Sequence, residues 1–364
     1  MKISDREILI WLNDLGLTNN QIKNILSRFD TLTDFWEAGK NEIYNIDGLS
    51  DDVKEKIIKN KNEDKIENLI YKLEKNNINT ITLLDESYPK SLKNIYDSPY
   101  VLYIKGQILK EDELAIAVVG SRKSTSYGKW ACEKFTKELA ELGVTIVSGL
   151  AIGIDTIAHR TALNEGGRTI GVLGCGIDII YPQKNKYLYD EISEKGAIIS
   201  EFPLGTPPLP YNFPQRNRII SGLSMGVVVI EAQEKSGSLI TANHALEQGK
   251  EVFALPGNIN SIFSRGTNKL IKDGAKLLLD IEDIIEEFPC LVEKNQMKNV
   301  NNIDYSSLSE TERKVIDLLK EGPLYIDIIA YKTGLDISTV NSILTILELK
   351  GFISELPGKL YSIC

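Results

Sequence analysis

The chain has 364 residues, a net charge of −9 and no run of about 18 consecutive apolar residues, so two or three domains with sizeable cores are expected and a membrane span is not. Cys132, Cys175, Cys290 and Cys364 are far apart, which excludes a dense disulfide framework and zinc-type ligand spacing and points to a reducing cytoplasm. The acidic balance excludes a uniformly basic nucleic-acid binder, so any DNA site has to be a local basic patch.

From Ile3 to about Asn79 the stretches ILIWLNDLG, NNQIKNILSRF and LTDFWEAG are amphipathic, with Gly16, Gly39 and Gly48 in stop positions. They predict a small helical domain over 1–80, similar to SAM or helix-hairpin-helix modules. Within it, IYNIDGLSDDVKEKII has an apolar-Gly-apolar hairpin before a helix, open to two readings: a phosphate held on backbone amides, or plain helix packing. Ile81 to Gly106, with turns at Tyr88-Pro89 and Ser98-Pro99 and a strand-like run from Tyr100 to Ile104, reads as a lead-in.

From Leu114 the texture changes to LAIAVVG, VTIVSGL, RTIGVLG, GAIISEF, MGVVVIEA, EVFALPG and AKLLLD, alternating with helical stretches. Seven apolar runs without polar alternation predict an α/β fold over 81–290: an extended Rossmann-like, doubly wound, mainly parallel sheet with helices on both faces. The polar, Asn-rich residues 291–304 predict a linker. Over 305–364, helices at Ser309 to Lys320, Tyr325 to Thr333 and Ser338 to Lys350, then two short strands around Pro357-Gly358, predict a winged-helix domain. Its six Lys or Arg against eight Asp or Glu, and a recognition helix without Arg, favour contact with protein over contact with DNA there.

An open α/β sheet binds ligands at the carboxyl ends of its strands, where Gly-rich turns expose amides at helix starts. The first such turn, VVGSRKSTSYG, offers Gly120 for close approach, Ser121 as a donor, and the cations Arg122 and Lys123. The second, VSGLAIGIDTIAHR, has Gly149 and Gly153 in a tight connection, with Asp155 suited to the positive end of the helix that follows. In the third, LGCGIDIIYPQKNKYLY, Gly174 and Gly176 free the backbone, and Lys184 and Lys186 fit a solvated face or a phosphate equally. The fourth pairs FPQRNRIISG, which brings Arg216, Asn217 and Arg218 to a helix start, with SGSLITA, where Ser236, Gly237, Ser238 and Thr241 converge as around a phosphate.

No nucleotide-hydrolysis loop, metal cluster or dinucleotide fingerprint is present. His159 and His244 lie in helices without a nucleophile motif beside them and read as structural, so no catalytic residue, metal or cofactor is assigned. The residues indicate binding without chemistry.

The blocks VVGSRKSTSYG, SGLAIGIDTIAHRTAL, GVLGCGIDIIYP, FPQRNRIISGLS, SGSLITANHALEQG and FALPGNI, in that order over roughly 82–285, resemble the DNA-processing protein A (DprA/Smf) family. The resemblance implies a cytoplasmic homodimer, joined through the Rossmann-like domain, that binds single-stranded DNA cooperatively. It also implies protection of incoming DNA during natural transformation, and loading of RecA recombinase past single-strand binding protein. The family's site positions then fall on Ser121, Arg122, Gly149, Gly153, Asp155, Arg216, Asn217, Arg218, Ser236, Ser238 and Thr241. A departure follows Tyr181-Pro182, where family members often carry a basic residue and this chain has Gln183. Tyr181, Tyr211 and Phe213 lie near the patch and fit stacking on bases, with burial in the core an equal reading for Phe213.

The alternative is a Rossmann-like nucleotide-binding enzyme of the phosphoribohydrolase type, but its P-G-G-x-G-T-x-x-E motif is missing and Glu231 sits at a strand end instead. A third reading, a nucleotide sensor acting on duplex DNA through the winged helix, is opposed by the acidic recognition helix.

Overall fold

Six short helices open the chain: α1 (Asp5–Asp14), α2 (Asn19–Arg28), α3 (Leu32–Glu37), α4 (Lys40–Tyr44), α5 (Asp51–Asn60) and α6 (Glu63–Lys75). The structure, a computed structural model, describes residues 3–301, 308–320, 322–350, 352–356 and 358–363. Ser4, Thr18 and Thr31 start α1 to α3 with reciprocal capping boxes to Glu7, Gln21 and Asp34. Gly16 and Gly48 adopt φ of +77° and +74°, as turn glycines do. Gly39, by contrast, is no stop: it is the extended N-cap of α4.

The strands and helices that follow are β1 (Asn79–Thr82), α7 (Lys90–Lys93), β2 (Val101–Gly106), β3 (Ala115–Val119), α8 (Ser126–Glu141), β4 (Thr145–Ser148), α9 (Ile154–Asn164), β5 (Thr169–Val172) and α10 (Lys186–Lys195). After them come β6 (Ala197–Ser200), α11 (Asn212–Leu223), β7 (Gly226–Val229), α12 (Gly237–Glu247), β8 (Glu251–Ala254), α13 (Arg265–Lys272), β9 (Lys276–Leu277) and α14 (Glu282–Ile285). All nine strands form one sheet in the order β1-β2-β6-β5-β4-β3-β7-β8-β9. Neighbours are parallel from β6 to β9, while β1 and β2 add an antiparallel edge. Every residue of β3 to β7 is buried, which is why these strands read as unbroken apolar runs.

The chain divides into two units, Met1–Ile284 and Ile285–Cys364. The helices of 1–80 therefore share a unit with the sheet. Ile8 to Asn13 of α1 are all buried, with no polar face left for water. Trp11, Phe35 and Ile66 pack in the same core as Tyr103, Leu173, Tyr189 and Ile198 of the sheet layer. Tyr103 donates its hydroxyl to Asn13 Oδ1 at 2.9 Å, and Arg6 donates to Thr80 O and pairs with Asp85.

In the second unit, α15 (Pro289–Asn301) occupies most of the stretch expected as a linker. Its Glu, Lys, Gln and Met residues are good helix formers and outweigh the asparagines; residues 302–304 lie outside the described residues. α16 (Glu310–Leu319), β10 (Leu324–Tyr325), α17 (Ile326–Thr333), α18 (Ile337–Leu349), β11 (Ile353–Leu356) and β12 (Leu360–Ile363) form a winged helix, with strand order β10-β12-β11. Gly334, at φ +71°, turns the chain between α17 and α18. Val315, Ile316, Leu344, Leu347 and Ile353 fill the core, and Pro357 of the wing turn lies outside the described residues.

One ion pair ties the first unit across its layers. Arg218 of α11 grips Glu201, just after β6, through Nη1–Oε1 at 3.1 Å and Nη2–Oε2 at 2.6 Å, with both residues buried. Its Nε donates to Asp97 at 3.1 Å, and Asp97 also accepts from Asn19 of α2 at 3.0 Å. Arg218→Met leaves the Glu201 carboxylate buried and unpaired, so it is expected to lower unfolding stability by about 3–5 kcal/mol in urea titrations followed by circular dichroism. A loss under about 1 kcal/mol, the range of surface pairs, would show that this pair holds nothing together.

Candidate nucleic-acid interface

The direction of winding reverses beside β3. From β3 the chain crosses through α8 to β4 on one side, whereas its other neighbour, β7, leads through α12 to β8 on the opposite side. Such a pair opens a crevice at its carboxyl ends, and here that crevice encloses about 700 Å³.

Gly120, Ser121, Arg122 and Lys123 form one wall. A Cβ on Gly120 would stand 2.7 Å from Ile154 Cγ1, so only glycine lets α9 approach. Arg122 and Lys123 are exposed, and the Arg122 guanidinium lies 5.8 Å above the Phe213 ring. Ser121 lines the wall without offering its proton: its hydroxyl accepts from Lys123 N–H at 3.1 Å and donates to Lys123 O at 3.0 Å, closing the turn.

Beneath lies a buried charge pair. Arg216, 5% exposed, donates from Nη1 to Gly149 O at 2.9 Å and to Val172 O, the carbonyls at the ends of β4 and β5, and from Nε to Asn217 Oδ1 at 3.2 Å. Asp155 accepts from Gly149 N–H at 3.1 Å and Ala151 N–H at 3.4 Å, so it staples the turn in addition to sitting at the positive end of α9. Burial raises the Asp155 carboxyl to about 6, against the opposing pull of Arg216 and the two amides, and lowers Arg216 to about 10.

The opposite wall is the start of α12. Ser236 caps it by accepting from Ser238 N–H at 3.4 Å, the two hydroxyls lie 2.7 Å apart, and Asn217 Nδ2 donates to Gly237 O at 3.2 Å. Thr241 lines the same wall one turn on. Over the mouth, Tyr181 and Phe213 hold their ring centroids 5.6 Å apart at 34°. Gly174 lines a small pocket of about 80 Å³ at the floor, together with Gly149 and Arg216. Glu231 is buried at 2% exposure and accepts from Thr125 N–H at 2.9 Å and from its hydroxyl at 2.5 Å, so it anchors the start of α8.

All four predicted turns thus contribute to one site, but not with every residue expected. Arg216, Asn217 and Arg218 lie more than a turn into α11, not at its start. Arg218 faces away, held by Glu201 and Asp97. Lys184 and Lys186 are exposed and do not line the crevice, and neither does Tyr211. Gly153 serves the packing of one turn on another: at φ +88°, a Cβ there would meet Ser121 O at 2.3 Å. His159 is buried beside Thr169 Oγ1 at 2.6 Å, and burial pushes it down to about 3, as suits a neutral core histidine. Sequence reasoning missed Lys235 and Gln233, exposed on the α12 wall. The signal for Lys235 was its place immediately before the Ser-Gly-Ser helix start.

The model of the DNA recombination-mediator protein A family matches residues 79–289, and that of the DprA winged helix domain matches residues 304–359. DNA processing protein DprA of Bacillus subtilis is 45% identical over 243 residues, covering 66% of this chain and 82% of that protein. The structure of DNA processing protein A from Streptococcus pneumoniae is similar with a TM-score of 0.68 and 38% identity, over 79% of this chain and 99% of that one. That of DNA processing protein A from Helicobacter pylori, described for its unique single-stranded DNA binding mode, has a TM-score of 0.52 and 35% identity over 58% of this chain and 94% of that one. With one match over the sheet that carries the crevice and another over the winged helix, the chain belongs to the DNA recombination-mediator protein A (DprA) family of DNA-processing proteins.

Proposed function

We propose that the protein binds single-stranded DNA in the crevice beside β3 and β7. The observation that carries this reading is the combination in one site of three exposed cations, Arg122, Lys123 and Lys235, with glycine turns and the Tyr181–Phe213 ring pair. Cations suit phosphates, while aromatic faces suit unpaired bases, which a duplex keeps stacked inside. The Helicobacter pylori relative, described for binding single-stranded DNA, supports the reading. Glu231, spent on Thr125, counts against the phosphoribohydrolase alternative.

In this reading the protein is a cytoplasmic binding protein, not an enzyme. It protects incoming DNA in natural transformation and helps to load RecA past single-strand binding protein. It acts as a homodimer through the Rossmann-like unit, where the short edge strand β9 leaves Leu277 43% and the adjoining Leu279 60% exposed. Arg122, Lys123 and Lys235 hold phosphates, Tyr181 and Phe213 take bases, and Arg216 with Asp155 keeps the floor in shape.

Fluorescence anisotropy with labelled oligo-dT and its duplex tests this. Tight, salt-sensitive, single-strand-preferring binding is expected. Arg122→Ala should weaken it about tenfold or more and reduce the log–log salt slope by about 0.7, one phosphate contact. Unchanged binding in that variant would place the site elsewhere. Lys184→Ala is expected to stay within about twofold of wild type, as a lysine outside the crevice should.

The same assay has a pH signature. Protonation removes the negative charge of Asp155 from beneath the phosphates, so the protonated form binds a polyanion more tightly, and affinity is expected to rise as pH falls through about 6. Asp155→Asn should flatten that rise; an identical pH profile in the variant would remove Asp155 from the electrostatics of binding.

A further inference from the structure

We propose that the outer face of α8, beside the crevice, carries a second contact for the same DNA strand: a base-stacking platform made of Tyr127 and Trp130. This rests on the reading of the crevice as a single-stranded DNA site. Single exposed aromatics are ordinary, but two that stack on each other in water form a contiguous apolar face, and Tyr127 is 43% and Trp130 57% exposed. Their rings stack with centroids 6.0 Å apart at 26°, and the Tyr127 hydroxyl donates to Pro256 O at 3.0 Å, so the pair is held in place. A fixed ring pair loses little entropy when a base lies on it.

The platform is rigidly joined to the crevice. Lys123 lines the crevice, Thr125 caps α8 by accepting from Gly128 N–H, and Glu231 of the strand-end wall holds Thr125 by amide and hydroxyl. Trp130 follows Thr125 by five residues, about 1.4 helical turns or roughly 7.5 Å along the axis. Beside it a cleft of about 350 Å³ separates α8 from α9, lined by Lys134 and Arg160 among others. Arg160 is exposed and has no ion pair among the described residues, while Lys137 is taken up by Glu141 and Glu165. The five charged residues lining the cleft, Glu133, Lys134, Lys137, Arg160 and Glu165, sum to +1 on a chain of −9. Aromatic faces next to available cations, continuous with a cationic crevice, favour a nucleic-acid strand over a protein partner.

The placement of the three tryptophans makes the test direct. Trp11 is buried and Trp36, half-buried, packs edge-on against it with centroids 5.1 Å apart, so Trp130 is the most exposed of the three. The full chain is titrated with oligo-dT of about six nucleotides, enough for the crevice, and of about twenty, long enough to reach α8. The long oligomer is expected to quench Trp130 emission. Trp130→Ala should weaken the long oligomer by about fivefold or more, the effect of losing one stacked base, while leaving the short one within about twofold, and Trp130→Phe should restore most of the loss. Arg122→Ala should weaken both lengths, which separates the two proposals: if it weakens neither, the crevice reading fails on its own. Unquenched emission at saturation, with Trp130→Ala binding the long oligomer like wild type, overturns the platform and leaves the exposed rings to a protein contact.

Discussion

The buried guanidinium of Arg216 is the interaction on which the crevice depends. Its hydrogen bonds to Gly149 O and Val172 O clamp the ends of β4 and β5, and its bond to Asn217 fixes the side chain that reaches Gly237 at the start of α12. Burying a cation is costly unless its donors are met and an opposite charge lies near, and Asp155 supplies that charge while stapling Gly149 and Ala151. The arrangement explains Gly149 without appeal to flexibility: a Cβ there would stand 2.6 Å from Arg216 Nη2 and 2.8 Å from Asp155 Oδ2. An arginine that a motif reading assigns to the ligand is thus also part of the frame. Exposed Arg122, Lys123 and Lys235 stand on that frame, where the proposed reading has them meet phosphates.

This division of labour marks the limit of what the sequence discloses. The sheet was legible because strands buried on both faces leave an unmistakable apolar run, and the convergence of four Gly-rich turns followed from the rule for open α/β sheets. The roles within FPQRNR were not. At about 100° per residue, positions two apart on a helix point in nearly opposite directions, so Arg216 enters the floor of the crevice while Arg218 turns to Glu201 and Asp97. Lys184 and Lys186 follow a turn that does reach the site, yet the chain has already left the crevice when it reaches them. Ser121 was identified as a donor, but nothing in its type or position reveals that its own turn consumes the proton.

The helices of 1–80 teach a related lesson. Amphipathic stretches and capping boxes locate helices well, but a buried stripe looks the same whether a neighbouring helix or a sheet covers it. The distinguishing mark was ILIWLN in α1, apolar around its whole circumference, which needs cover on more than one side. The sheet core supplies that cover through Tyr103, Tyr189 and Ile198. Arg218 then adds a polar tie at the same junction, so the helical layer and the crevice share one element, α11.

The acidic balance of the chain bears on selectivity. The sequence-independent attraction of a protein for DNA is dominated by phosphate neutralisation and is strongest for duplex, which carries the higher charge density. A chain of net charge −9 gains little from that long-range term. On the proposed reading, binding comes from short-range contacts at the crevice, where three exposed cations stand beside aromatic faces. Duplex phosphates can meet such exposed cations, but duplex bases cannot stack on Tyr181 or Phe213 without leaving the helix. An unpaired strand meets both requirements at once. On the proposed reading, weak overall attraction combined with a demanding local site separates single strands from duplex more sharply than a uniformly basic surface does, and the negative charge works as part of the discrimination.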